Sequence, residues 1–276
     1  MEKGALEAFC QHLIREEKSK NTIQKYTHDV TLFMEFLRGR PVNKEVTAAY
    51  KERLLSLYAV SSANSMLAAM NTFLEFLGLA DCKVRPYKLQ RRLFSNEDKE
   101  LSFTHYKKMI ELARADGNDR LLTLMQTLCN TGIRISELPY ITAEAVRAGR
   151  ATVKCKGKIR EIFIHKELQK MLIGYAGRHG IISGPVFVTR TGKPVDRSNV
   201  WREMQKLSRR AKVDRACVFP HNLRHLFART YYKAKKDIAR LADILGHSNI
   251  QTTRIYIATT GKQYRRELAG LGLLIT

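Results

Sequence analysis

Long apolar runs are missing from this chain of 276 residues. None approaches the ~20 residues that a membrane span needs. No lipid-anchor motif or basic amphipathic helix stands out either, so no membrane partner is expected. The five cysteines, Cys10, Cys82, Cys129, Cys155 and Cys217, have no paired spacing. Their odd count and the helical pattern of the first residues, which leaves no targeting segment, predict free thiols and a cytoplasmic location. Acid is scarce: 26 Asp and Glu face 49 Lys and Arg, a net charge of +23. A folded protein with that excess is expected to meet a polyanion, and nucleic acid is the first candidate, because neutralised phosphates release counterions. The 44% of apolar residues exclude a disordered chain. The excess is uneven, with 13 basic and 10 acidic residues up to residue 90 and 36 and 16 after it.

The hydrophobic period predicts a mainly α protein with a small antiparallel sheet. Leu6, Phe9, Cys10, Leu13 and Ile14 share one helical face, as do Ile23, Tyr26, Val30, Phe33 and Leu37 in a second helix that opens at Asn21 as N-cap. Further helices are expected at 46–58 and 62–77, completing a bundle over residues 1–82. Residues 83–102 read as a basic and polar linker containing Lys88, Arg91 and Arg92. The remaining domain, 103–276, is expected to hold helices at 102–113, 119–129, 167–178, 196–211, 221–233, 238–245 and 251–257. Its two strands are expected at 151–155 and 160–165 around a Lys156-Gly157-Lys158 turn, with a buried segment of undecided type at 186–188 and a tail at 261–276.

Four clusters carry possible chemistry, each with an ordinary structural reading beside it. Arg134 lies between Ile133 and Ile135 just past a glycine; it is either an ion-pair partner of Glu137 or a charge held ready for a ligand. His221, Arg224 and His225 share one helical face; they form a packed polar stripe, a catalytic group or, with Cys217 and His247, a metal ligand set. No H-E-x-x-H, paired C-x-x-C or carboxylate cluster supports the metal. Tyr256 follows His247 by nine residues and sits between two isoleucines, where a core aromatic is the usual occupant. The basic turn at Lys156 and Lys158 is either solvated or reaches into a DNA groove.

Taken in order, TGIRISEL at 131–138, a hairpin lysine, HNLRH at 221–225 and LGHS at 245–248 with Tyr256 beyond it resemble the tyrosine recombinase, or phage integrase, family. The resemblance implies a SAM-like core-binding bundle followed by a catalytic domain, and a site-specific recombinase that works through a 3′-phosphotyrosyl intermediate. It implies Tyr256 as nucleophile, Arg134 and Arg224 as phosphate clamps, His221 and His247 as further catalytic groups, and Lys156 as general acid, with Lys158 the alternative. Glu137 and His225 match supporting positions. DNA contacts are expected from Lys88, Arg91, Arg92, Lys158 and Arg160. No metal or ATP is implied. The implied partners are duplex DNA with an inverted-repeat core site, three further copies in a tetramer joined by exchanged tails, and accessory proteins. A simple Xer-like member without an arm-binding domain is expected. Two departures, Ile257-Ala258 after the tyrosine and Phe163 in place of a proline, suggest a divergent, mobile-element member. A non-enzymatic DNA-binding protein, a type IB topoisomerase-like enzyme and a metal hydrolase are the rival readings.

Overall fold

The structure is a computed structural model that describes residues 3–88, 100–155, 158–189 and 191–256, together with 265, 269 and 270; the side chains of Lys3, Cys155 and Lys158 fall outside the description. The chain divides into two compact units, Met1–Arg91 and Arg92–Thr276.

The first unit holds α1 (Lys3–Arg15), α2 (Lys20–Leu37), α3 (Lys44–Leu57) and α4 (Val60–Phe76), followed by a 3-10 turn at Ala80–Cys82. The apolar stripes predicted for α1 and α2 converge on α4: Phe9, Leu13, Val30, Phe33 and Leu37 are buried with Met70, Phe73 and Leu74. The Phe9 ring meets Phe73 edge to face at 5.0 Å. Three starts differ from expectation, and in α3 the helix begins at Lys44 behind an Asn43 cap. The α2 cap is Ser19, not Asn21, because the Ser19 hydroxyl accepts from the Thr22 backbone N–H at 3.2 Å and so begins the helix two residues earlier. The α4 helix begins at Val60, which places the Ser61-Ser62 pair inside its first turn. Residues 83–88, expected to open the linker, are fastened to α4 instead. Asn71 exchanges hydrogen bonds with the backbone of Val84, and Asn64 does the same with Tyr87. Two asparagines seven residues apart on one helix face thus serve an extended segment as a neighbouring strand would.

The second unit holds α5 (Phe103–Ala115), α6 (Asp119–Thr131), a 3-10 turn at Ile135–Tyr140, α7 (Ala143–Ala148), β1 (Arg150–Cys155), β2 (Lys158–Phe163), α8 (Lys166–Arg178), α9 (Arg197–Arg210), a 3-10 turn at Arg215–Cys217, α10 (Pro220–Lys235), α11 (Ile238–Leu245) and α12 (Ile250–Tyr256). Helix α6 is central and packs against α5, α8 and α10. Thr123, Thr127 and Thr131 run along its buried face, and the last two hydroxyls donate to the carbonyls four residues back, at 2.8 and 2.6 Å. The helix ends at Gly132 in the left-handed region (φ 64°). A Cβ there would stand 2.4 Å from the Phe227 ring, so both the turn and the packing require glycine.

The strands pair antiparallel from Arg150 opposite Phe163 to Cys155 opposite Lys158. Lys156 and Gly157, between the paired ends, lie outside the described residues. The second strand runs two residues earlier than expected. Ile164 already leaves the ladder to bond the Gly149 carbonyl, and His165 caps α8. Alternation along the strand turns Ile162 inward and leaves Phe163 74% exposed. The undecided segment is neither helix nor strand: Val186 and Phe187 are buried in a bend between two isolated bridges, Thr142 to Pro185 and Val188 to Pro194.

Candidate active site

The site is assembled where the turns at Gly132 and Gly246 in the second unit meet α10. Past the Gly132 cap, Arg134 takes an extended conformation and opens the 3-10 turn at Ile135–Tyr140. Glu137, in that turn, accepts the Arg134 backbone N–H on Oε2 at 2.7 Å and the Arg134 Nη1 on Oε1 at 3.0 Å. The carboxylate is almost fully buried, and the Arg134 side chain remains 36% exposed. Burial opposes ionisation of Glu137, but the Arg134 N–H, the Arg160 charge and the Arg134 guanidinium outweigh it and hold its carboxyl below the usual range. Arg134 is therefore ion-paired and still keeps an open face.

Arg224 sits on α10 and is fully buried. Pro220 at the first helical turn and Phe219 in extended conformation start this helix, which puts His221, Arg224 and His225 on one side as their spacing predicts. The Arg224 guanidinium donates to the Gly132 carbonyl at 2.6 Å and the Leu245 carbonyl at 2.7 Å, and it contacts His247 Nε2 at 2.8 Å. A guanidinium has no acceptor, so Nε2 of His247 must accept, and Nδ1 carries the hydrogen toward Thr253 Oγ1, 2.8 Å away. Arg224 Nε is buried with no hydrogen-bond partner among the described residues. Burial first, then repulsion from Arg134, pulls the Arg224 pKa down to about 10.

Tyr256, the last residue of α12, is buried inside a collar of imidazoles. Its hydroxyl lies 3.2 Å from His221 Nε2. The His225 ring stacks on it at 4.2 Å, and the His247 ring lies 5.2 Å away. All three histidines are biased toward the neutral form. Surrounding protein is the first cause in each, followed for His221 by Arg224, Arg134 and Arg197, for His225 by His221, Arg229 and Arg224, and for His247 by Arg224, Arg134 and Arg160. His225 is pushed down to about 3 and His247 to about 4.

Arg160 departs from the sequence expectation. It was predicted to reach DNA, yet its side chain is only 15% exposed and turned inward from β2. It donates to Glu137 Oε2 at 2.5 Å and to the Ile244 carbonyl. The inward phase of alternate strand residues and the buried carboxylate explain the difference. Of the other predicted DNA contacts, Lys88 is exposed at the end of the first unit; Arg91, Arg92 and Lys156 lie outside the described residues, as does the side chain of Lys158. The described residues include no group of three or more His, Cys, Asp or Glu placed to hold a metal, so Cys217, His221, His225 and His247 do not converge as ligands. Tyr231 and Tyr232 pack against Ala228, Leu241 and Leu245. The sequence did not single out Thr253, although it lies six residues past His247, and the carbonyls of Gly132, Ile244 and Leu245 leave no trace in a sequence.

The geometry gathers three guanidinium groups and three neutral imidazoles around one buried carboxylate and one buried phenol. Residues 99–263 match the phage integrase family, and residues 6–80 match the phage integrase N-terminal SAM-like domain. Tyrosine recombinase XerA of Pyrococcus furiosus is 30% identical over 280 residues, covering 98% of this chain and 94% of XerA. Tyrosine recombinase XerD of Mycobacterium tuberculosis is 29% identical, over 96% of this chain and 88% of XerD. The crystal structure of the XerH site-specific recombinase bound to its difH substrate shares the fold, with a TM-score of 0.70 at 16% identity over 100% of this chain and 85% of XerH. The chain belongs to the phage integrase family, the tyrosine recombinases, which are DNA strand transferases of site-specific recombination. Among the described residues no helix is long and apolar enough to cross a membrane.

Proposed function

We propose that this chain cuts and rejoins duplex DNA through Tyr256, within a site whose residues bind one phosphodiester. The observation that carries the reading is the Tyr256 hydroxyl 3.2 Å from His221 Nε2. A neutral imidazole in that position accepts the phenolic proton as the oxygen attacks phosphorus. The new bond joins Tyr256 Oη to the 3′-phosphate, the bond to the 5′-oxygen breaks, and that oxygen takes a proton from Lys156, or from Lys158 in the alternative assignment. Attack by another strand's 5′-hydroxyl reverses the step, so no ATP is consumed and no metal is required.

The electrostatics favour a phosphate. The buried carboxylate of Glu137 pairs with Arg134 and Arg160, and Arg224 is held by two carbonyls and His247, which leaves the site short of negative charge. A non-bridging oxygen satisfies the open face of Arg134 and relieves the unpaired Nε of Arg224, an unmet donor that costs about 1–3 kcal/mol. Guanidinium groups from separate segments grip the phosphate from two sides and offset the charge that grows in the transition state. His247 then turns from acceptor to donor by taking a proton on Nε2, which the incoming negative charge favours.

The partner is duplex DNA with inverted half-sites, bound by four copies, with the segment at 261–276 exchanged between neighbours. The solved lambda integrase tetramer bound to a Holliday junction, which has a TM-score of 0.72 to this chain, supports such an assembly. Covalent capture in EDTA tests the reading. Nicked duplexes drawn from a random library and from DNA flanking the gene are incubated with wild type and Tyr256→Phe, then run on a denaturing gel. A shifted adduct lost in the variant is the expected result. DNA binding without an adduct from either protein, in every duplex, favours the non-enzymatic binding protein.

A further inference from the structure

We propose that Arg160 is a positioning residue that sets the separation between Arg134 and His247, the two groups that flank the scissile phosphate in the reading above, on which this inference rests. Its guanidinium spans two structures that the chain itself does not connect. One nitrogen, Nη2, holds Glu137 Oε2 at 2.5 Å, and that carboxylate in turn fixes Arg134 through its backbone N–H at 2.7 Å and its side chain at 3.0 Å. The other, Nη1, donates to the Ile244 carbonyl at the end of α11, three residues before His247. The next carbonyl, Leu245, receives Arg224 at 2.7 Å. Two cations therefore cap neighbouring carbonyls at the negative end of one helix, and the turn that presents His247 is pinned by both.

The approach is close enough to constrain the sequence of that turn. Gly246 has φ 67°, and a Cβ there would meet Arg160 Cδ at 2.6 Å and Nε at 2.8 Å. The glycine thus serves the turn and also leaves room for the Arg160 stem to lie against it. With its side chain 15% exposed and both terminal nitrogens engaged, Arg160 has little left to offer DNA directly. A lysine cannot replace it, because one ammonium at the end of a flexible stem does not bridge Glu137 and Ile244 in a fixed geometry.

The test compares cleavage of two duplexes that differ at the scissile position: an ordinary phosphodiester, and a methylphosphonate whose neutral methyl group replaces one charged oxygen. A clamp held in the wrong place matters most when there is charge to offset. On the phosphodiester, Arg160→Met is expected to bind DNA as wild type does and to form adduct about 100-fold more slowly, the usual scale for a misplaced catalytic group. On the methylphosphonate the ratio of wild-type to variant rates should shrink by about tenfold or more. Arg160→Lys, which keeps the charge and tolerates the site if the methionine variant fails to fold, should show the same contraction. Equal ratios on both duplexes, or wild-type cleavage of the phosphodiester by a folded variant, overturn the proposal. Arg134→Ala separates the two levels of inference. If its own defect does not contract on the methylphosphonate, the clamp reading itself falls. If it contracts and that of Arg160→Met does not, only the role of Arg160 falls.

Discussion

The two units bury different things. In the first, the buried polar side chains among the described residues are Asp29 and Thr47, and the core is otherwise aliphatic and aromatic. In the second, Thr123, Thr127, Thr131, Glu137, Gln205, Ser208, Asn222, Arg224 and Thr253 are all buried. A buried polar group costs free energy unless it is paired, and a buried charge costs more. A small helical bundle has no reason to accept that cost. In the second unit part of that cost falls at one point, where Glu137, Arg224 and Thr253 hold Arg134 and His247 in place. Stability in the first unit therefore rests on packing, and in the second it is tied also to the polar network around Tyr256.

The largest effect that would break this contrast is expected at Arg224. Arg224→Met should lower the rate of adduct formation about 100- to 1,000-fold, as removal of a preorganised transition-state donor does. Circular dichroism and electrophoretic mobility shift would show whether the helices and DNA binding survive; an unchanged cleavage rate would remove Arg224 from the site. In the first unit the corresponding change is Phe73→Ala, which deletes a fully buried ring against Phe9 and Phe76. A loss of about 3–5 kcal/mol is expected there. Denaturant unfolding should show it as an earlier transition of the first unit, with the transition of the second unit in place.

A smaller effect sharpens the comparison through pH. His225 and His247 have folded pKa values lowered to about 3 and about 4, below the ordinary value of 6.5 for histidine. The unfolded chain therefore binds more protons than the folded one between those values, and stability falls as pH drops through that window. Thermal melts from pH 7 to pH 4.5 should show the second unit losing stability on acidification. His225→Gln should flatten that dependence. A melt that is flat in wild type, or equally steep in the variant, contradicts the assignment of neutral imidazoles.

Much of this arrangement follows from residue patterns. The spacing of His221, Arg224 and His225 predicts a shared face because a helix brings positions three and four apart together, and the 238–245 helix appears with the expected ends. Helix ends were harder to place. Ser19 and Asn21 are both good caps, and only the hydroxyl geometry at Thr22 distinguishes them. Arg160 was misjudged for another reason: it shares the inward face of β2 with Ile162, and the buried Glu137 carboxylate that draws a charged side chain to that face comes from a distant part of the chain. The acceptors of Arg224 are the carbonyls of Gly132 and Leu245, present at every residue and made meaningful only by the fold.

The most direct measurement is to digest the covalent protein–DNA adduct and locate the modified peptide by mass spectrometry. A phosphodeoxynucleotide on Tyr256, within the peptide ending α12, is the expected result. Modification of Tyr231 or Tyr232 instead would show that the buried hydroxyl beside His221 is not the nucleophile.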